Sequence, residues 1–181
     1  MKPEIYFSVD IESSGPIPGR YSMLSLGACV VGNPEEAFYV ELKPISKEFV
    51  PDALKVSGFD LERLERDGEP PAKAMEAFRD WVQTTAGDRK AVFVGFNACY
   101  DWQFVNWYFE SFTSGNPFGF GGIDIKSYYM GFSGQPWSKT TSSQLPNEFQ
   151  PDEPQTHNAL NDARSQASIF LKLILRGRTA H

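Results

Sequence analysis

The chain has 181 residues, 41% of them hydrophobic and 22% charged, proportions that suit one domain with one substantial core and give no reason to expect a long disordered region. A formal net charge of −6 argues against broad electrostatic binding to duplex phosphates, but leaves room for acids gathered around bound divalent cations. The longest apolar runs, Ser22–Val31 and Ile169–Leu175, are too short to span a bilayer, and Glu4 and Asp10 interrupt any signal-peptide pattern, so the expectation is a cytoplasmic protein with no membrane partner.

Glu4–Glu12 alternates, with Ile5, Phe7, Val9 and Ile11 on one face and Tyr6, Ser8, Asp10 and Glu12 on the other, as a strand requires. Ser22–Val31 predicts a second strand, and Gly32-Asn33-Pro34 supplies a turn into a third at Ala37–Leu42. Pro51–Ser57 and Asp60–Arg66 predict short helical pieces. Pro70 and Pro71 open a helix running to about Thr85, with Ala74, Ala77, Phe78, Trp81 and Val82 as its buried stripe. Ala91–Phe96 suits a strand buried on both faces. Asn97 is placed to cap the next helix, which turns Phe104, Val105, Tyr108 and Phe109 to the core. Ile123–Ile125 predicts another strand, and Ser133–Thr156 a long, partly irregular segment near function. The last helix begins near Asn158 and ends before Gly177, with Leu160, Ala163, Ala167, Phe170 and Ile174 at core spacing. Cys29 and Cys99 read as buried thiols; their spacing makes no zinc site, and one disulfide stays open.

A three-strand meander followed by alternating helix and strand gives an α/β fold: a mixed sheet, antiparallel then parallel, flanked by helices, an order shared with the ribonuclease H type. The pattern shows no internal repeat and no linker, so residues 1–181 are expected to form a single domain.

Three local patterns carry chemistry. Asp10 and Glu12 lie two apart on a strand and leave the same face, just before Ser13-Ser14-Gly15-Pro16 ends it. Two close carboxylates repel unless a cation sits between them, and hard divalent cations want oxygen ligands. A solvated polar strand face would also explain the pair. Asp101 lies one turn into the helix after Asn97, where the macrodipole alone would favour an acid; its aromatic neighbours make a purely solvent-facing role less expected. His157 precedes the last helix and Asp162 lies within its second turn, which brings an imidazole and a carboxylate to one pocket. The other histidine is the terminal His181.

Together, Asp10-x-Glu12, Asn97-x-x-x-Asp101 and His157-x-Ala159-x-x-Asp162-Ala163 resemble the three-motif signature of the DEDDh 3′–5′ exonuclease superfamily, which includes proofreading subunits of bacterial polymerases, ribonuclease T and oligoribonuclease. Ala53–Gly58 and Ile123-Asp124 resemble the same family. The resemblance implies a hydrolase with two divalent cations, Mg²⁺ or Mn²⁺. Asp10 would bridge them, Glu12 and Asp162 would complete one position, and Asp101 would hold the other. Such a pair activates a water and stabilises both reacting oxygens of a phosphodiester. His157 would take the water's proton, since imidazoles titrate near ~6.5. The partner would be nucleic acid with single-stranded 3′ ends, DNA or RNA, and the product nucleoside 5′-monophosphates. Ser13, Ser14 and Gly15 would contact the terminal 3′-hydroxyl and Asn97 would lie near the strand, although Ser13-Ser14 departs from the family's usual threonine pair. Phe96, Tyr100, Phe132 and Trp137 are candidates for base stacking. A homodimer is also expected from many relatives.

Competing readings are a ribonuclease H-type endonuclease, which does not need His157, and a catalytically silent binding module, which would normally have lost a carboxylate. A polymerase-dependent proofreading subunit is disfavoured by the short tail after Asp162.

Overall fold

Glu4–Ser13 forms β1 at the centre of a five-stranded sheet of order β3-β2-β1-β4-β5. The computed structural model describes residues 2–152 and 156–179; His181 lies outside them. β2 (Met23–Val30) and β3 (Asn33–Glu41) follow antiparallel, whereas β4 (Lys90–Gly95) and β5 (Gly122–Asp124) run parallel to β1. The helices are α1 (Pro51–Ser57), α2 (Leu61–Asp67), α3 (Pro71–Ala86), α4 (Ala98–Phe112), α5 (Ile125–Ser133) and α6 (Ala159–Thr179). This is the expected mixed α/β sheet of ribonuclease H type. Among the described residues no helix is long and apolar enough to cross a membrane.

The alternation of β1 divides the interior in two. Ile5, Phe7, Val9 and Ile11 are buried with Ala74, Met75, Phe78 and Val82 of α3 and Phe104, Val105, Tyr108 and Phe109 of α4. There Phe7 meets Trp81 and Phe118 edge-on, and Phe78 stacks on Phe109. Each such fully buried aromatic contributes roughly 1.5–3 kcal/mol. The opposite face is covered by α6, with Tyr6 edge-on to Phe170, and its apolar part continues into Ile125, Tyr129, Leu145 and Phe149. Asp10 and Glu12 emerge on this second side.

Several local expectations are corrected. The β2–β3 turn is Val31-Gly32, with Gly32 at φ 87°, so Asn33 and Pro34 already belong to β3; an edge strand tolerates a proline because its outer N–H needs no partner. Ala77 is exposed, and Met75 takes its place in the stripe. β5 stops at Asp124, and Ile125 starts α5, a helix that the aromatic sequence IKSYYMGFS does not announce. α6 continues through Gly177 to Thr179. Cys29 is buried but Cys99 is exposed, and both are free thiols. The segment after α5 is irregular as expected, with short 3₁₀ turns at Trp137–Lys139, Ser142–Gln144 and Asn147–Phe149.

Candidate active site

The site begins where β1 outruns its parallel neighbour. β4 pairs with β1 only as far as Ser8↔Val94, whereas β2 continues alongside, with Asp10 opposite Gly27 and Glu12 opposite Ser25. A register irregularity follows Glu12, a common device for turning a strand end beside a functional site. Beyond the end of β4 the Ile11 N–H is left for Asp101, whose Oδ1 accepts it at 3.1 Å. Asp101, on the first turn of α4, is buried at 4% exposure. The end of the central strand thus fixes one carboxylate through its backbone and carries two others on its side chains.

α6 supplies the remaining groups by direct contact with the sheet. A Cβ on Gly27 would lie 2.2 Å from the Leu160 backbone nitrogen and 2.3 Å from the Ala159 carbonyl carbon, so only glycine lets the helix start rest on β2. Asp162 is buried at 5% exposure. Its Oδ1 accepts the Thr156 N–H at 2.7 Å and its Oδ2 the His157 N–H at 3.1 Å. Asn158 caps the helix, its carbonyl accepting from the Asp162 N–H and its side chain from the Asn161 N–H. His157 itself is exposed, with φ 56°.

All five predicted residues, together with Phe96, Asn97 and Tyr100, line one cleft of about 210 Å³. Ligand atoms of Glu12, His157 and Asp162 lie within 4.8 Å of one another. Burial raises the Asp10 pKa well above the usual carboxylate range, and the charges of Asp101, Asp162 and Glu12 raise it further, against a lowering hydrogen bond from Gln166. Burial, with Asp162 next, lifts Glu12 to about 7. Burial likewise lifts Asp101 to about 8 despite the Ile11 N–H. Among the described residues, the side-chain charges that act on these three groups are those of neighbouring carboxylates. A convergent set of carboxylate oxygens with one imidazole fits hard divalent cations.

Among the described residues, Asn97 (φ 65°) and His157 (φ 56°) are the non-glycine residues in the left-handed region, and both line this cleft. Backbone strain of this kind gathers at functional sites. Asn97 is the residue before α4 but makes no side-chain cap bond, which corrects its expected capping role. Asp124 does that work instead: its Oδ1 accepts the Ala98 N–H at 3.0 Å, and its Oδ2 accepts the Ser127 N–H at 2.9 Å to cap α5.

Other expected contacts are distributed differently. Ser14 is fully buried; its hydroxyl donates to the Glu48 carbonyl and accepts the Ser22 N–H. The Ser13 hydroxyl lies 2.7 Å from the Tyr100 hydroxyl and 2.9 Å from the Gly15 carbonyl. The Ser13–Gly15 loop is therefore held from inside, and its hydroxyls are committed to the fold. Of the four aromatic candidates, Phe96 and Tyr100 line the cleft. Phe132 lines a separate apolar groove, and Trp137 stacks under the Lys126 ammonium at 4.0 Å. A larger groove of about 1030 Å³ runs between residues 44–49 and α1–α2; its Asp60 is spent capping α2, and it gathers no comparable donor set.

One residue at the site escaped the sequence reading. Gln166, 1% exposed, donates from Nε2 to Asp10 Oδ1 at 2.6 Å and accepts the Phe96 N–H on Oε1 at 2.9 Å. Its spacing of four from Asp162, which places both on one face of α6, was the available signal.

The pattern of the exonuclease family RNase_T matches residues 7–170. The 3′–5′ DNA exonuclease Cap18 of Escherichia coli is 49% identical over 168 residues, covering 92% of this chain and 90% of the relative. Among solved structures, a full-length 3′-exonuclease superposes with TM-score 0.78 at 15% identity, covering 98% of this chain and 84% of that one. The nuclease domain of 3′hExo, a DEDDh family member bound to rAMP, gives TM-score 0.78 at 15% identity, with 97% and 94% covered. Family pattern and close relative agree with the site built above, the solved structures share its architecture, and the chain belongs to the RNase_T exonuclease family as a 3′–5′ exonuclease.

Proposed function

We propose that this 3′–5′ exonuclease acts as one domain on single-stranded DNA ends, using Asp10, Glu12, Asp101 and Asp162 to hold two divalent cations and His157 as general base. The observation that carries the reading is the convergence of all five side chains on one cleft at the end of β1. The near relative whose name specifies DNA, similar along almost its whole length, supports DNA over RNA.

Membership of the family implies dependence on divalent metal. When bound, two Mg²⁺ or Mn²⁺ ions would activate a water and offset charge on the entering and leaving oxygens. The chain's own residues supply the rest. His157, held at the cleft mouth by the Asp162 carboxylate through its backbone N–H, takes the proton of the attacking water. The water oxygen bonds to the last phosphorus, the bond from phosphorus to the preceding 3′-oxygen breaks, and that oxygen takes a proton from solvent. The products are a nucleoside 5′-monophosphate and a strand with a new 3′-hydroxyl. Asn97 and the Ser13–Gly15 loop, through its backbone because the Ser13 and Ser14 hydroxyls are engaged within the fold, would receive the terminal sugar.

The test is digestion of 5′-labelled single-stranded DNA with Mg²⁺, with the 3′ end free or blocked, beside an RNA of the same sequence. Mononucleotide release from the free DNA end alone is expected. Internal cuts in the blocked strand would replace this reading with an endonuclease, and faster loss of RNA would reverse the substrate. Sedimentation of the protein in the same buffer tests the homodimer suggested by relatives of this kind.

A further inference from the structure

We propose that Gln166 is a positioning residue that fixes which oxygen of Asp10 faces the cations and ties that choice to the end of β4. The inference rests on the reading of Asp10 as a metal ligand. Gln166 is buried, and both ends of its amide are used: Nε2 donates to Asp10 Oδ1 and Oε1 accepts from the Phe96 N–H. The amide orientation is fixed by the Phe96 N–H, which only donates and so requires Oε1, leaving Nε2 for the Asp10 carboxylate oxygen. The Asp10 side chain is thereby held with one oxygen engaged and the other left for a cation.

The second partner gives the contact its reach. Phe96 is the first residue after β4 and precedes Asn97, whose left-handed backbone leads into the turn of α4 that carries Asp101. Gln166 lies one helical turn after Asp162 on α6. One amide therefore joins the strand bearing Asp10, the strand end leading to Asp101 and the helix bearing Asp162. These three pieces arrive from distant parts of the chain, the Asp10–Gln166 contact alone spanning 156 positions. Groups that orient a ligating carboxylate in this way set metal affinity, and removing one weakens it by ~10–100-fold.

The experiment compares wild type with Gln166→Met, which keeps the volume and loses both bonds, and Gln166→Glu, which keeps the Phe96 acceptor and loses the donor. Mn²⁺ is titrated into each protein, free ion being followed by electron paramagnetic resonance, and metal-free melting temperature is recorded alongside. Both variants are expected to need about tenfold more Mn²⁺ for half-occupancy, and the Mg²⁺ dependence of kcat should move by the same factor while substrate KM at saturating metal holds. A lowered melting temperature with an unchanged Mn²⁺ midpoint would make Gln166 a packing residue and overturn the proposal. Should Gln166→Met fail to fold, Gln166→Glu carries the same comparison. A wild type that binds no Mn²⁺ would remove the metal reading itself, and this inference with it.

Discussion

Carboxylates crowded into a low-dielectric cleft keep their protons until something positive replaces them. Glu12, at about 7, and Asp101, at about 8, sit far above the ordinary values of 4.5 and 3.8 that they regain on unfolding. An acid with a raised folded-state pKa contributes stability that is fully present below its unfolded value and is lost as pH rises through the folded one. In chelator, therefore, the melting temperature should fall between pH 6 and pH 8. Divalent ions compete with those protons, so their affinity should rise over the same interval, and Mg²⁺ should raise the melting temperature more at pH 8 than at pH 6. Thermal melts at both pH values, with EDTA and with Mg²⁺, check the pair of signs. A metal-free protein more stable at pH 8 would contradict the picture of mutually repelling buried acids.

At the scale of elements, the approach of α6 to the sheet is set by one missing side chain. Gly27→Ala would drive a methyl into the backbone at Ala159 and Leu160, and forced overpacking of this kind costs about 1–3 kcal/mol. Because that helix start carries Asp162 and the preceding His157, turnover should fall with stability, whereas Gly58→Ala, with no atom near its Cβ position, should cost stability through its backbone angle and leave turnover intact. Denaturant melts and initial rates on the two variants separate the effects. Elements were readable where their cause is local. The period of two in β1 placed Asp10 and Glu12 on one face, and the apolar spacing of α4 named Phe104, Val105, Tyr108 and Phe109. Legibility failed where a distant group decides. Asn97 looked like a cap because Asp124, which serves Ala98, stands 26 residues away. Gly177 looked like a stop, but it stays helical where α6 passes Tyr128, whose hydroxyl would touch a Cβ there at 3.4 Å. Gln166 shows the same limit: its spacing from Asp162 places it on the site-facing side of α6, but only the folded chain reveals its bond to β1.

For the whole molecule, the net charge of −6 and the small cleft imply a short grip on the strand. Each phosphate neutralised by the protein adds ~0.7 to the salt slope on single strands. Binding of a catalytically dead variant to oligonucleotides should therefore show a log–log slope shallower than about −2, corresponding to two or three phosphates. A slope near −5 would mean an extended basic track that this surface does not lead us to expect. The three motifs span most of the chain, from Asp10 to Ala163, so the architecture was recoverable from their order. Their order also gathered the five residues into one site, as the cleft shows; how far β1 extends past β4 to form it was not legible.

Of the two left-handed residues at the cleft, His157 is the one whose backbone should hold the protein below the stability its scaffold would otherwise reach, since asparagine adopts that conformation more readily. A non-glycine residue in that conformation carries about 1–2 kcal/mol of strain, and His157 is exposed, so few packing contacts offset it. His157→Gly should accordingly yield a chain that melts no lower than wild type, even after the extra entropy glycine loses on folding, and that no longer degrades DNA. Selection for thermal robustness alone would then favour discarding this side chain.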